Sequence, residues 1–219
     1  MIKADHKKYA RWLFIPYMNN LLRKNFSHFY LVNDFPEILE NQGLIITPNH
    51  ISWWDGFFAE YLFKKFLNRK LHIMMLEEQL KRFWFFKKLG AYSINPDSPR
   101  SIIETANYTR QIVNSRENFV VTYPQGEIES FEKRPLTLKK GLNYFIKGIE
   151  QDFLLLPVGF KIHYYNEKYP SIICRFGLLF EGNRTVDAYP FYEAAFMTNL
   201  DMLSKAAEEK SFVKDLFAK

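Results

Sequence analysis

Seven short apolar runs do most to limit what this chain can fold into. They are FYLV (29–32), GLIIT (43–47), LHIMML (71–76), AYSI (91–94), NFVVTY (118–123), FLLLPVGF (153–160) and SIICRFGLLF (171–180). Between several of them lie stretches patterned as helices, at 54–68, 77–88, 99–115 and 137–150. Parallel strands need a crossover of a dozen or more residues, usually a helix. The alternation therefore predicts an α/β fold with a mostly parallel central sheet flanked by helices. The last two runs, joined by polar HYYNEKYP, are expected to add an antiparallel pair, and the tail from about 190 reads as one or two amphipathic helices. A chain of 219 residues suits a single domain of this kind.

Two segments stand apart. HKKYARWLFIPYMNNLLRKNF (6–26) mixes basic residues with Trp12, Phe14 and other apolar side chains, and Pro16 is expected to divide it into a pair of short helices. This is the composition of an interfacial helix, so residues 1–27 are expected to be a membrane-interface segment and 28–219 the α/β domain. A helical pair packed on the domain with a solvated basic rim is compatible with that. LKRFWFFKKLG (80–90) repeats the mixture; as one helix it would carry Phe83, Trp84, Phe85 and Phe86 on more than one face. Such a segment suits a membrane surface or an acyl chain better than a dry core.

Composition narrows the partners. Aromatic residues make up 18% of the chain and the net charge is +6, which favours nucleic acid, acidic lipid or a phosphorylated substrate. No helix-turn-helix, RNP-like or zinc-finger pattern accompanies the charge, so no nucleic-acid partner is expected. The histidines at 6, 28, 50, 72 and 163 lack ligand spacing, and no metal or cofactor is expected. The lone Cys174 excludes an internal disulfide. No apolar run approaches the roughly 20 residues that span a bilayer, and no signal-peptide core opens the chain. The expected location is the cytoplasmic face of a membrane, peripheral or monotopic.

The run PNHISWWDG (48–56) carries the candidate chemistry. His50 and Asp55 are five apart, which on one helix puts them on different faces. They meet only if His50 lies in the loop after strand 43–47 and Asp55 in the first turn of the next helix. Ser52 and Asp55 have capping-box spacing, so Asp55 could also simply start that helix. A neutral imidazole can take a proton from an alcohol, and a carboxylate on its other nitrogen fixes the tautomer and stabilises the imidazolium. No Ser or Cys stands in a nucleophile-elbow setting, which argues for direct attack by a bound alcohol on a thioester without an acyl-enzyme.

Four stretches together resemble the motifs of the glycerolipid (lysophospholipid) acyltransferase superfamily, the 1-acyl-glycerol-3-phosphate acyltransferases among them. NHISWWD resembles its NH-x4-D box, LGAYSIN (89–95) its second motif, TYPQGEIES (122–130) its Phe-Pro-Glu-Gly-Thr-Arg motif, and LLLPVGF (154–160) its apolar fourth motif, in the family's order. The resemblance implies transfer of a fatty acyl chain from acyl-CoA or acyl carrier protein to a lysolipid hydroxyl, with His50 as general base and Asp55 orienting it. It implies an acceptor site at Pro124, Gln125, Gly126 and Glu127. The two cations with which the family is thought to hold phosphate are absent: Pro96 falls near one, and Glu127 and Ile128 follow the glycine at the other. Either Arg100, Arg134, Lys139 and Lys140 replace them, or the acceptor lacks a phosphomonoester, as Glu127 and Glu129 would favour. Trp12, Phe14, Trp53, Trp54, Phe83 and Trp84 are the expected contacts with the acyl chain or an anionic membrane surface. The alternative is a non-catalytic lipid-binding protein on the same scaffold.

Overall fold

The computed structural model describes residues 1–39 and 42–218. Its centre is a sheet whose hydrogen-bonded order is β4-β3-β5-β2-β6-β7-β1-β9, with β8 also on β6. The strands are β1 (Phe29–Leu31), β2 (Gly43–Pro48), β3 (Lys70–Leu76), β4 (Ala91–Ile94), β5 (Asn118–Val121), β6 (Phe153–His163), β7 (Ser171–Phe176), β8 (Phe180–Glu181) and β9 (Lys214–Asp215). From β4 across to β6 every pairing is parallel. β6 and β7 then pair antiparallel, as the polar connector between them predicts.

All six residues of β2 are buried. Leu44 and Ile46 join the core on one face of the sheet and Ile45 the core on the other. A strand covered on both faces reads in sequence as an unbroken apolar run rather than an alternating one, which is why GLIIT looks as it does. The first face is covered by α1 (Lys8–Asn25) and α2 (Asp55–Phe66). The second is covered by α4 (Pro99–Val113), α5 (Gly141–Ile146) and α7 (Tyr189–Glu209). The short α3 (Glu77–Arg82) follows β3, and α6 (Gly182–Thr185) precedes α7.

Three local expectations change. The N-terminal segment is one 18-residue helix with Pro16 inside it, not a pair. Proline removes one helical hydrogen bond, but Ala10 before it and Met18 and Leu22 after it are all buried, so packing holds both halves on one axis. The expected helix 77–88 is α3 followed by a 3₁₀ segment, Trp84–Leu89. Three residues per turn set i and i+3 above one another, so Phe83 and Phe86 share a side, with centroids 6.0 Å apart. The last strand run, expected over 171–180, is split: β7 ends at Phe176 and Phe180 opens β8, with Gly177 at the break where Pro157 and Asn199 leave no room for a side chain.

Residues before α1 form a strap along the sheet edge and the 3₁₀ segment. The amide of Ser93 donates to the Ile2 carbonyl, and those of Asp5 and Lys7 donate to the Lys87 and Lys88 carbonyls. The strap carries His6 onto His72 of β3, with Nε2 atoms 3.3 Å apart. Burial pushes both imidazoles down to about 4.

Candidate active site

His50 and Asp55 meet where the carboxyl ends of the parallel strands converge, the usual ligand edge of such sheets. Pro48 closes β2, and Asn49 locks the turn that follows. Its side chain donates to the Phe160 carbonyl (2.9 Å) and accepts from the Phe160 amide (2.6 Å), fastening the loop to β6. Asn49, legible in the sequence only as a strand breaker and as the first residue of the NH-x4-D box, is thus the anchor of the loop.

His50 Nδ1 donates to Asp55 Oδ2 at 2.7 Å. The same carboxylate accepts the amides of Ile51 (2.7 Å) and Ser52 (2.9 Å), and Ser52 Oγ donates to Oδ1 (3.0 Å). Asp55 is fully buried, and these bonds stand in for the water it has lost. Both sequence alternatives are met in one arrangement: the carboxylate that receives the ring also ties down the turn at Ile51 and Ser52 that leads into α2. With Nδ1 holding the hydrogen, the lone pair is left on Nε2. The imidazole stacks on the Tyr123 ring with centroids 4.4 Å apart, and the buried Tyr123 hydroxyl has no hydrogen-bond partner among the described residues.

The loop after β5 grips the histidine's backbone. Gln125, only 1% exposed, accepts the His50 amide on Oε1 (2.6 Å) and donates through Nε2 to the His50 carbonyl (3.3 Å) and to Glu129 Oε2 (3.2 Å). The Glu129 amide also donates to the His50 carbonyl (2.9 Å). A glutamate at 125 could not donate to that carbonyl, so glutamine fits the position. Expected at the acceptor, Gln125 instead spends its amide on holding His50.

The histidine faces a cavity of about 780 Å³ running between β3 on one side and α1, α2 and the 3₁₀ segment on the other. His50, Pro124, Gly126 and Glu127 line its catalytic end, and Phe14, Trp53 and Phe83 its apolar wall. Arg100 and Arg134 do not line it. Arg100 pairs with Glu104, and Arg134 lies against Asp201 of α7 and the Phe131 carbonyl. Lys139 is the one Lys or Arg among the lining residues, beside Glu127 with 3.8 Å between charged atoms. Its stem crosses Gly126, whose φ of +73° and lack of Cβ make the crossing possible. Lys140 is not among the lining residues.

Trp54 packs edge-on to Phe26 beneath the rim rather than lining the cavity. Trp12 (76% exposed) and Trp84 stand out from the surface with Tyr9, Leu13 and Tyr17. Lys88 joins the two segments, its ammonium lying over the rings of both Tyr9 and Trp84. No helix among the described residues is long and apolar enough to cross a membrane.

The protein family described as Acyltransferase matches residues 14–161, which include His50, Asp55 and the loop after β5. Among solved structures, the crystal structure of the 1-acyl-sn-glycerophosphate (LPA) acyltransferase PlsC from Thermotoga maritima shares the fold, with a TM-score of 0.58 at 15% sequence identity. The alignment covers 85% of this chain and 76% of that one. No curated protein sequence matches.

Proposed function

The chain belongs to the Acyltransferase family, and on that premise we propose a peripheral membrane O-acyltransferase acting on lysolipids. Its donor is an acyl-CoA or acyl-carrier-protein thioester. The observation that carries the reading is the 2.7 Å bond between His50 Nδ1 and buried Asp55, with the ring on the wall of a largely apolar cavity. Nε2 removes the proton from the acceptor hydroxyl as the oxygen attacks the thioester carbonyl carbon. Asp55 stabilises the imidazolium that forms. The tetrahedral intermediate collapses with cleavage of the C–S bond, and the imidazolium returns its proton to the departing thiolate. No protein acyl intermediate is required.

At the acceptor end the lining offers one cation, Lys139, paired with one carboxylate, Glu127. That balance suits an acceptor without a phosphomonoester, or one carrying both signs of charge, better than a phosphate dianion. The exposed tryptophans and tyrosines of α1 and the 3₁₀ segment, edged with lysine and arginine, suit the headgroup region of an anionic leaflet. An enzyme resting there, on the cytoplasmic face, takes lipid without drawing its chains through water.

The test is transfer of labelled palmitate from palmitoyl-CoA to a panel of lysolipids by wild type and by His50→Ala. Transfer by wild type alone supports the mechanism. Equal transfer by both would remove His50 from the chemistry.

A further inference from the structure

One carboxylate lies in the cavity wall away from the catalytic end. Glu60 of α2 is 7% exposed and lines the cavity on the helix face that also presents Gly56 and Phe57. Its Oε1 accepts a 2.6 Å bond from the Arg11 guanidinium of α1. This is its one hydrogen bond among the described residues, none of which hydrogen-bonds Oε2. Phe14, Leu71 and Phe86 are among the other side chains lining the same space. Burial raises the Glu60 carboxyl above the usual carboxylate range, and the opposing pull of Arg11 and Lys64 only partly offsets it.

The depth of Glu60 follows from the elements that carry it. β3 lines the cavity from Leu71 to Leu76, a span of about 16 Å at ~3.3 Å per residue. α2 starts at Asp55, beside the catalytic histidine, and Glu60 is five residues further on, about 7.5 Å along the axis. Glu60 thus stands partway down the path of an acyl chain whose carbonyl is held at His50. A plain alkyl chain there would displace water from a charged oxygen and give it nothing in return.

We infer that the cavity is built for an acyl chain bearing a hydroxyl partway along its length, whose O–H donates to Glu60 Oε2. The inference rests on the acyl-transfer reading. It makes Glu60 a specificity determinant, because a site arranged to receive a hydroxyl discriminates against the chain that lacks one. Arg11 fixes the carboxyl group through its bond to Oε1, so the acceptor is in place before the chain arrives.

Binding can be measured without turnover, by displacement of a fluorescent fatty-acid probe from the full chain. The competitors are octadecanoic acid and a set of hydroxyoctadecanoic acids with the hydroxyl at successive carbons. Wild type is expected to bind one mid-chain hydroxy acid about tenfold more tightly than octadecanoic acid, the scale of one hydrogen bond to a charged group. Glu60→Gln keeps an acceptor and retains part of that preference. In Arg11→Met/Glu60→Leu both charges go together, leaving no unpaired partner, and the preference is lost or reversed. If wild type binds octadecanoic acid as tightly as every hydroxy isomer, the hydroxyl inference is overturned and the acyl cavity stands. If no fatty acid displaces the probe, both fall. The wild-type comparison decides even where a variant fails to fold.

Discussion

The two ends of the cavity are held in different ways. At the catalytic end, hydrogen bonds fix the parts: Asp55 accepts four, Asn49 makes two to Phe160, and Gln125 and the Glu129 amide grip the His50 backbone. Along the wall, rings do the work, with Phe14, Phe57 and Phe86 meeting at centroid distances of 5.8–6.2 Å. Hydrogen bonds fail over a few tenths of an ångström and a few tens of degrees. Ring contacts tolerate displacement, since area burial is non-directional. On the proposed acyl-transfer reading, proton transfer relies on the first kind of support and a flexible chain on the second. A change at the catalytic end should therefore reduce turnover out of proportion to its effect on stability, and a change in the wall should do the reverse.

The sharpest test is His50→Ala, expected to lower kcat about 10³-fold in the transfer assay with little change in melting temperature. A loss in which Tm falls as far as activity would break the contrast. Next, Gln125→Glu removes the donor to the His50 carbonyl and sets a second carboxylate beside Glu129. It should lower kcat about tenfold with KM little changed in steady-state kinetics.

Vesicle co-sedimentation of Trp12→Ser/Trp84→Ser should show about tenfold weaker binding, reflecting lost apolar burial. Turnover of a water-soluble short-chain thioester should be unaltered, and if it falls equally these rings serve the site rather than the surface. In the wall, Phe86→Leu should cost about 1 kcal/mol in denaturant unfolding and leave kcat unchanged.

The last effect lies behind the wall, at His6 and His72, and touches stability alone. Above pH 6.5 both are neutral folded or unfolded. From 6.5 down towards 4 the unfolded chain takes protons that the folded pair refuses, so stability falls as pH falls. Thermal melts at pH 7 and pH 5 should differ by about ten degrees, and His6→Leu should narrow the gap.

What the sequence disclosed divides along similar lines. The sheet was legible because buried parallel strands read as apolar runs, and the His50–Asp55 pair because five residues of loop and helix start determine it locally. The NH-x4-D resemblance pointed to the same two residues. The grip of Gln125 on His50 was not legible, since the two lie 75 positions apart and meet only because β5 pairs with β2. Arg100 and Arg134 were plausible phosphate ligands by composition, yet nearby acids draw both elsewhere. Lys139 emerged from that group only once Gly126 could be seen to give its stem a path. The 3₁₀ segment escaped because the pattern FWFFKK has no single helical face.

The Gln125 clamp also has a consequence for biosynthesis. The ring at position 50 leaves the ribosome long before the amide that will hold it, and it acquires a rigid seat only after β5 has threaded in next to β2. A nascent or half-assembled chain therefore carries the histidine with Asp55 already at hand but without the backbone seat that the later loop supplies.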